Sequence, residues 1–188
     1  MLHWLLTSTT YGTWLPGDSR GCVTPVRDYR STDAPTSTRV EHNHSGEPYE
    51  AAMPGLSRSA ASRLKSEPVL INQMQADVVL EQFLASASYR GWRLLAIAIM
   101  KNHFHLVVRS PDEALSSDLL KEFKAYGSRA LNRQFGKRRS GTWWTKGGSK
   151  RKLPNEEAIL RAINYVLNKQ PNPLVTWSPE DQERPPPF

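Results

Sequence analysis

The sequence predicts an α+β fold: a ferredoxin-like antiparallel sheet with helices on one face and a long insertion after strand 1. Three observations carry this expectation. Strand-like and helix-like runs follow one another in the order strand, helix, strand, strand, helix, helix. Two of the strand-like runs are joined by only Lys101 and Asn102, which is hairpin spacing. Residues 19–67 are polar, with Ser, Pro, Gly and Arg and little apolar periodicity.

The first strand covers residues 3–10, rich in aromatic and β-branched types. Tyr11-Gly-Thr-Trp-Leu-Pro-Gly-Asp18 is dense in turn formers. The insertion reads as a long loop with short local structure. Order returns at Pro68, where Val69, Leu70, Met74, Val78, Leu80, Phe83 and Leu84 place one apolar stripe on a helix over 72–89. Gly91 ends that helix. Residues 92–100 are apolar almost throughout, as buried strands are. Residues 103–109 form the hairpin partner. Ser110-Pro111-Asp112-Glu113 opens a helix with an acidic first turn. It carries Leu115, Leu119, Leu120, Phe123, Tyr126 and Leu131, and stops at Gly136. A fourth strand, short or displaced, is expected near 143–145. Pro154-Asn155-Glu156-Glu157 opens a last helix running to about residue 169. Residues 1–177 read as one domain, and 178–188, with Pro185-Pro186-Pro187, as an extended tail.

Composition narrows the function class. The 188 residues carry a formal net charge of +7, which favours a polyanionic partner, nucleic acid before membrane. A single cysteine, Cys22, excludes an internal disulfide and a thiolate metal cluster. No apolar run is long enough to span a bilayer, and no charged segment precedes the N-terminal apolar residues. The expectation is a cytoplasmic protein.

Chemistry concentrates in two places. In Met100-Lys-Asn-His-Phe-His-Leu-Val-Val108, two histidines flank Phe104. On a strand, alternate side chains share a face, so His103 and His105 point one way and Phe104 the other. Two neutral imidazoles side by side can grip one divalent ion; taken alone, the spacing fits a solvated polar face as well. On the last helix, Ile159, Leu160, Ile163, Val166 and Leu167 gather on the side expected to be buried. Tyr165 falls nearly opposite them, with Arg161, Asn168 and Lys169 within one turn. A phenol of ordinary pKa, about 10, needs nearby positive charge or a polarised phosphate to act as a nucleophile. The plain alternative is a surface tyrosine. Tyr126 ranks below Tyr165, because it sits among apolar helix positions.

Basic residues are the third feature. Lys121, Lys124, Arg129, Arg133, Lys137, Arg138 and Arg139 load one helix and its end. Lys146, Lys150, Arg151 and Lys152 follow, with Trp143 and Trp144 between the two groups. Aromatic rings among cations suit unpaired bases, with one of the two tryptophans expected in the core.

Together these pieces resemble the single-tyrosine HUH transposases, the IS200-like family that includes the REP-associated tyrosine transposases. The similarity rests on Thr9-Thr-Tyr-Gly-Thr-Trp-Leu-Pro-Gly-Asp18, the His-Phe-His strand, the helix over 123–133, Trp144-Thr-Lys-Gly-Gly-Ser-Lys-Arg151 and Arg161-Ala-Ile-Asn-Tyr-Val166. It spans roughly residues 3–170. The resemblance implies that His103 and His105 hold Mg²⁺ or Mn²⁺. It implies that Tyr165 attacks a phosphorus of single-stranded DNA, leaving a 5′-phosphotyrosine and a free 3′-hydroxyl. The implied partner is single-stranded DNA with a hairpin, REP/BIME-like or a transposon end, with monomer or homodimer left open. The segments over 20–39 and 137–152 are the implied hairpin contacts. Lys124, Arg129, Arg133, Arg138, Arg139, Trp143, Trp144, Lys146, Lys150, Arg151, Arg161 and Lys169 are the candidate DNA-binding residues.

One position departs from the family pattern, which has Asn or Gln four residues after the tyrosine. Here Lys169 stands there, and a charged lysine has no lone pair to offer a metal. Asn168 and Gln170 flank it and are the alternative amide ligands. Gln170 would need the helix to loosen before Pro171, and Lys169 could meet the scissile phosphate instead. Two other readings stay open: a binding-only protein that keeps the fold, and an HUH nuclease of the replication-initiator or relaxase kind.

Overall fold

The computed structural model describes residues 1–19, 53–112 and 114–182. The chain forms two compact units: residues 14–65, and residues 1–13 together with 66–188. In the smaller unit, a helix α1 (Pro54–Ser62) lies in the insertion expected to be loop, with proline in its first turn. Cys22 and the segment over 20–39 lie outside the described residues, as does Glu113.

The larger unit holds β1 (Leu2–Thr9), α2 (Gln73–Tyr89), β2 (Arg93–Ile99), β3 (His103–Ser110), α3 (Ser116–Phe135), β4 (Ser149–Lys152), α4 (Glu156–Asn168) and β5 (Val175–Trp177). The strands form one antiparallel sheet in the order β4-β1-β3-β2-β5. This is the β-α-β-β-α-β plan with a fifth strand added at one edge. α2 starts where the sequence places it. Asn72 accepts from the Gln75 backbone while the Gln75 side chain accepts from the Asn72 backbone, a reciprocal cap.

The sheet is buried on both faces. On one face, Leu6, Leu94, Ile97, Ile99, Phe104, Leu106 and Val108 pack against α2 and α3. Phe83 is the hub, edge-on to Phe104 at 5.0 Å and to Phe123 at 5.2 Å. On the other face, Ala96, Ala98, Met100, Val107 and Leu153 pack against Ala162 and Val166 of α4. The expectation of helices on one face is therefore corrected for α4. β2 is apolar on both sides, and the small Ala96 and Ala98 let a helix approach the second side. A bulge between Leu94 and Ala96 returns Leu94 to the α2 side of the sheet.

Other expectations shift at the edges. β3 runs through Ser110, so α3 begins at Ser116 rather than at residue 110, and Asp112 pairs with the N-terminal amine instead of capping a helix. The fourth strand is Ser149–Lys152, not 143–145, where Trp144 makes only an isolated bridge to Thr10. Gly147 and Gly148, both at positive φ, turn the chain between the two. A Cβ on Gly148 would stand 2.5 Å from the Thr7 carbonyl, so only glycine lets the chain pass. β5 was not anticipated, because three residues are too few to show a period. Leu70, Met74 and Leu160, counted with buried stripes, are exposed. In α2 the buried residues are Ala76, Val79, Phe83, Ser86 and Ala87. In the expected tail, Pro179–Gln182 forms a 3₁₀ turn held by Asp181, which accepts from the Ser178 backbone and hydroxyl. Residues 183–188 lie outside the described residues.

Phe104 joins the core to the histidine strand. Phe104→Ala is expected to cost about 3–5 kcal/mol in chemical denaturation, the range for emptying a buried aromatic site.

Candidate active site

β3 sends Phe104 into the α2–α3 core and turns His103 and His105 to the α4 side. The two imidazoles lie 5.0 Å apart, centre to centre, at 85°. Each is held from behind. The register pairs Thr7 of β1 with His105, and the Thr7 hydroxyl meets His105 Nδ1 at 2.6 Å. Asn102 Oδ1 lies 2.7 Å from His103 Nδ1. An amide oxygen only accepts, so Nδ1 of His103 carries the proton and Nε2 is the lone-pair nitrogen. The Thr7 hydroxyl can accept in the same way from His105. Both imidazoles are thus braced to present Nε2, the usual arrangement behind a histidine metal ligand.

His105 is only 6% exposed. Burial, and then the neighbouring His103, push its pKa down to about 3, against a smaller upward pull from Gln170. It is the neutral imidazole that a metal needs.

α4 brings the phenol to this pair. The Tyr165 ring lies 5.4 Å from the His105 ring at 71°, while Tyr165 remains 43% exposed. Tyr165 is therefore not a remote surface residue: its ring packs on the imidazole while the residue stays partly open to solvent. Three residues after it the helix ends. α4 ends at Asn168, and Lys169 donates its backbone N–H to the Tyr165 carbonyl at 3.2 Å. Gln170 then folds back, its Nε2 donating to the same carbonyl at 3.1 Å, with its side chain in hydrogen-bonding reach of His105. Since Nε2 is engaged there, Oε1 is the Gln170 atom left to offer a lone pair beside the imidazole pair. Asn168, the other candidate amide, instead donates to Asn164 at 2.9 Å on the exposed side of α4. Among the described residues no cluster of three His, Cys, Asp or Glu exists that could hold a metal. Two imidazoles and one amide are the donor set.

The basic candidates divide. Trp143 and Trp144 are 2% and 3% exposed, so neither offers a free face for stacking a base. This corrects the reading of both as DNA contacts. Trp143 donates to Asn132 Oδ1, and Trp144 donates to the Lys124 carbonyl and packs edge-on to Phe104. The cations around them shield core rings: Arg138 lies over Trp143, and Arg129 over Tyr126 at 4.7 Å. Lys124 is half-buried and donates to the carbonyls of Thr145 and Gly147. Arg161 is paired with Glu157 one turn away. Arg133, Arg139, Lys146, Lys150, Arg151 and Lys169 are exposed. In the sheet, Arg151 is the partner of Leu5, which lies on the histidine side, and Lys150 the partner of Leu6, which lies on the α3 side. The basic edge strand thus serves both faces.

Sequence reasoning missed Thr7 and Asn102. Only the β1–β3 register reveals Thr7. Asn102 adjoins the pair, but it read as a turn residue.

A group neutral when folded and charged when unfolded links stability to pH. Between pH 6.5 and about 3 the unfolded chain binds a proton at His105 that the folded chain does not. Stability is therefore lost as pH falls through that window, by up to about 1.4 kcal/mol per pH unit. Denaturation of chelator-treated protein is expected to show this slope, and His105→Gln to flatten it.

No curated protein matches the chain. Two solved structures show similarity to the chain. One is a REP-associated tyrosine transposase bound to a REP hairpin, 10% identical, with 87% of this chain and 63% of that chain covered, at a TM-score of 0.45. The other is a candidate transposase from Deinococcus radiodurans R1, 14% identical, with 87% of each chain covered, at a TM-score of 0.47. The family described as "Transposase IS200 like" matches residues 62–161, a segment that contains both histidines and ends one helical turn before Tyr165. That match covers more than half of the sequence, and the chain belongs to the IS200-like transposase family.

Proposed function

We propose that the chain is a metal-dependent single-stranded DNA transposase that cuts and rejoins DNA through a 5′-phosphotyrosine on Tyr165. The observation that carries this reading is the 5.4 Å approach of the Tyr165 ring to His105, together with the return of Gln170 to the same imidazole. Residues 60 positions apart in sequence, His105 and Tyr165, meet on a side of the sheet where packing alone would favour aliphatic groups. The donor set fits a divalent ion: two braced neutral imidazoles and an amide oxygen, with substrate and water oxygens to complete the shell. His103, His105 and Gln170 would hold Mg²⁺ or Mn²⁺, which when bound polarises the scissile phosphate.

The protein groups do the rest. Tyr165 is 43% exposed, so a strand can reach it from solvent. Its oxygen forms the new bond to phosphorus, its proton departs, and the bond from phosphorus to the 3′ oxygen breaks. The 3′ oxygen leaves as a hydroxyl once protonated. One phosphodiester is exchanged for another, so a second 3′-hydroxyl can reverse the step without ATP. Lys169 and Arg151, exposed on this side, draw the phosphates in. Hairpin DNA of the REP or transposon-end type is the proposed substrate, supported by the net charge of +7 and the exposed cations of β4 and the end of α3.

The test is to incubate labelled single-stranded hairpin DNA with the protein and Mn²⁺, then resolve the products on a denaturing gel. A covalent protein–DNA adduct is expected, lost at least a hundredfold in Tyr165→Phe and His103→Ala. Binding with no adduct under any metal would reduce the chain to a nucleic-acid-binding member of its family. Gln170→Ala is expected to weaken Mn²⁺ binding in calorimetry by about 10-fold or more, the usual effect of losing a group that supports a site. Asn168→Ala should leave it unchanged, and the reverse result would exchange the two amides.

A further inference from the structure

His103 presents Nε2 only while Asn102 Oδ1 stays on its Nδ1. Asn102 belongs to the short turn between β2 and β3, and that turn is held from outside. The Lys101 carbonyl accepts from the Ile71 N–H at 2.7 Å, and the Asn102 carbonyl from the Thr10 N–H at 2.8 Å. Thr10 follows β1 and also bridges to Trp144. Four segments far apart in sequence therefore converge at Thr10: the end of β1, the stretch before α2, the histidine turn and the Trp144 loop.

Thr10 is fully buried, yet its side chain is polar. Its hydroxyl lies 2.6 Å from the Val69 carbonyl, 3.1 Å from the Asn102 carbonyl and 3.1 Å from the Thr13 hydroxyl. One hydroxyl has one proton to give. The shortest contact takes it to Val69, which leaves the second lone pair of the Asn102 carbonyl to another donor. The Thr13 hydroxyl stands 3.2 Å from that carbonyl and 2.9 Å from the Thr10 carbonyl. The Thr10 carbonyl also accepts from Thr145 at 3.0 Å, and Thr145 accepts in turn from Thr9, the residue opposite His103. A buried hydroxyl is costly unless it is hydrogen-bonded. Valine has nearly the same shape and would fill the same space without that cost, so packing does not ask for a hydroxyl here. Tying the turn does.

We propose that Thr10, with Thr13 behind it, is a positioning residue for His103: it locks the β2–β3 turn so that Asn102 Oδ1 stays on Nδ1 and Nε2 remains the lone-pair nitrogen. Thr10 alternates with Thr9 and points away from the imidazoles, so it acts through Asn102. His105 is braced separately, by Thr7 on the neighbouring strand, and loosening the turn spares it. The inference rests on the metal reading above for its consequence, tighter metal binding. The ring tautomer itself belongs to the metal-free protein.

The test follows the full, metal-free chain with isotope-labelled histidine by NMR, at a pH where the imidazoles are neutral. The ring spectra read which nitrogen carries the proton. In the wild type, His103 is expected in the Nδ1–H form. Thr10→Val is expected to turn His103 into a mixture of both forms, to leave His105 as it was, and to weaken Mn²⁺ in calorimetry by about tenfold or more. Thr10→Ser, which keeps the hydroxyl, should restore both readings. Asn102→Ala should reproduce the loss, and adding Thr10→Val to it should change nothing further, as two residues acting in one line require. Circular dichroism checks the fold. Thr13→Val, on a partly exposed turn, is expected to shift the same tautomer and gives the reading if Thr10→Val does not fold. A His103 ring that keeps its proton on Nδ1 in the folded variants overturns the proposal. An equal change at His105, or losses that add in the double variant, would overturn it too, since either marks a residue that only stabilises the fold. Failure of the wild type to bind Mn²⁺ sinks the metal centre alone, and the tautomer still decides the role of Thr10.

Discussion

The pairing of β1 with β3 governs the rest of the molecule. Its register sets Thr7 beside His105 and Thr9 beside His103, and it commits every odd residue of β3 to one face. A shift of one residue would send Phe104 to the α4 side and the histidines into the aromatic core around Phe83. That exchange would bury two imidazoles among apolar rings and strip Phe104 of its contacts with Phe83 and Trp144. The core on one side therefore enforces the geometry on the other. The histidines are held by a strand that cannot slip without emptying the core.

The second constraint is the way α4 ends. A helix continued through residue 170 would carry Gln170 around and away from the sheet. Pro171 disfavours that continuation, and the chain unwinds after Asn168. The Tyr165 carbonyl accepts the last helical bond, from the Lys169 N–H, and with its second lone pair the Gln170 amide. One carbonyl thus ties the amide to the residue that carries the phenol, and both approach His105. The lysine at the usual amide position does not leave the site without an amide. Fraying of the helix delivers the next residue instead.

Much of the positive charge is placed by structural need. Arg138 and Arg129 cover rings, Lys124 ties a loop, and Arg161 pairs with Glu157. A count of basic residues overstates the surface free to meet DNA. The cations left over sit on β4, on the exposed turns of α3 and at the end of α4, so they flank both faces of the sheet.

The sequence by itself determined the alternation on β3, the order of elements, the start of α2 and the presence of a tyrosine off the buried side of the last helix. These follow from local rules: a strand's period of two, a helix's period of 3.6 and the chemistry of caps. Tertiary structure alone decided three things. α4 covers the second face of the sheet, because small residues on β2 admit a helix there, and no local pattern says which face a helix will choose. Both tryptophans went into the core, because their N–H groups found Asn132 and the Lys124 carbonyl, partners distant in sequence. Gln170 rather than Asn168 faces the imidazole, because the helix ends at Asn168 and the chain folds back after it. In each case the deciding contact joins segments far apart along the chain or depends on where a helix ends. Neither is written in the spacing of residues.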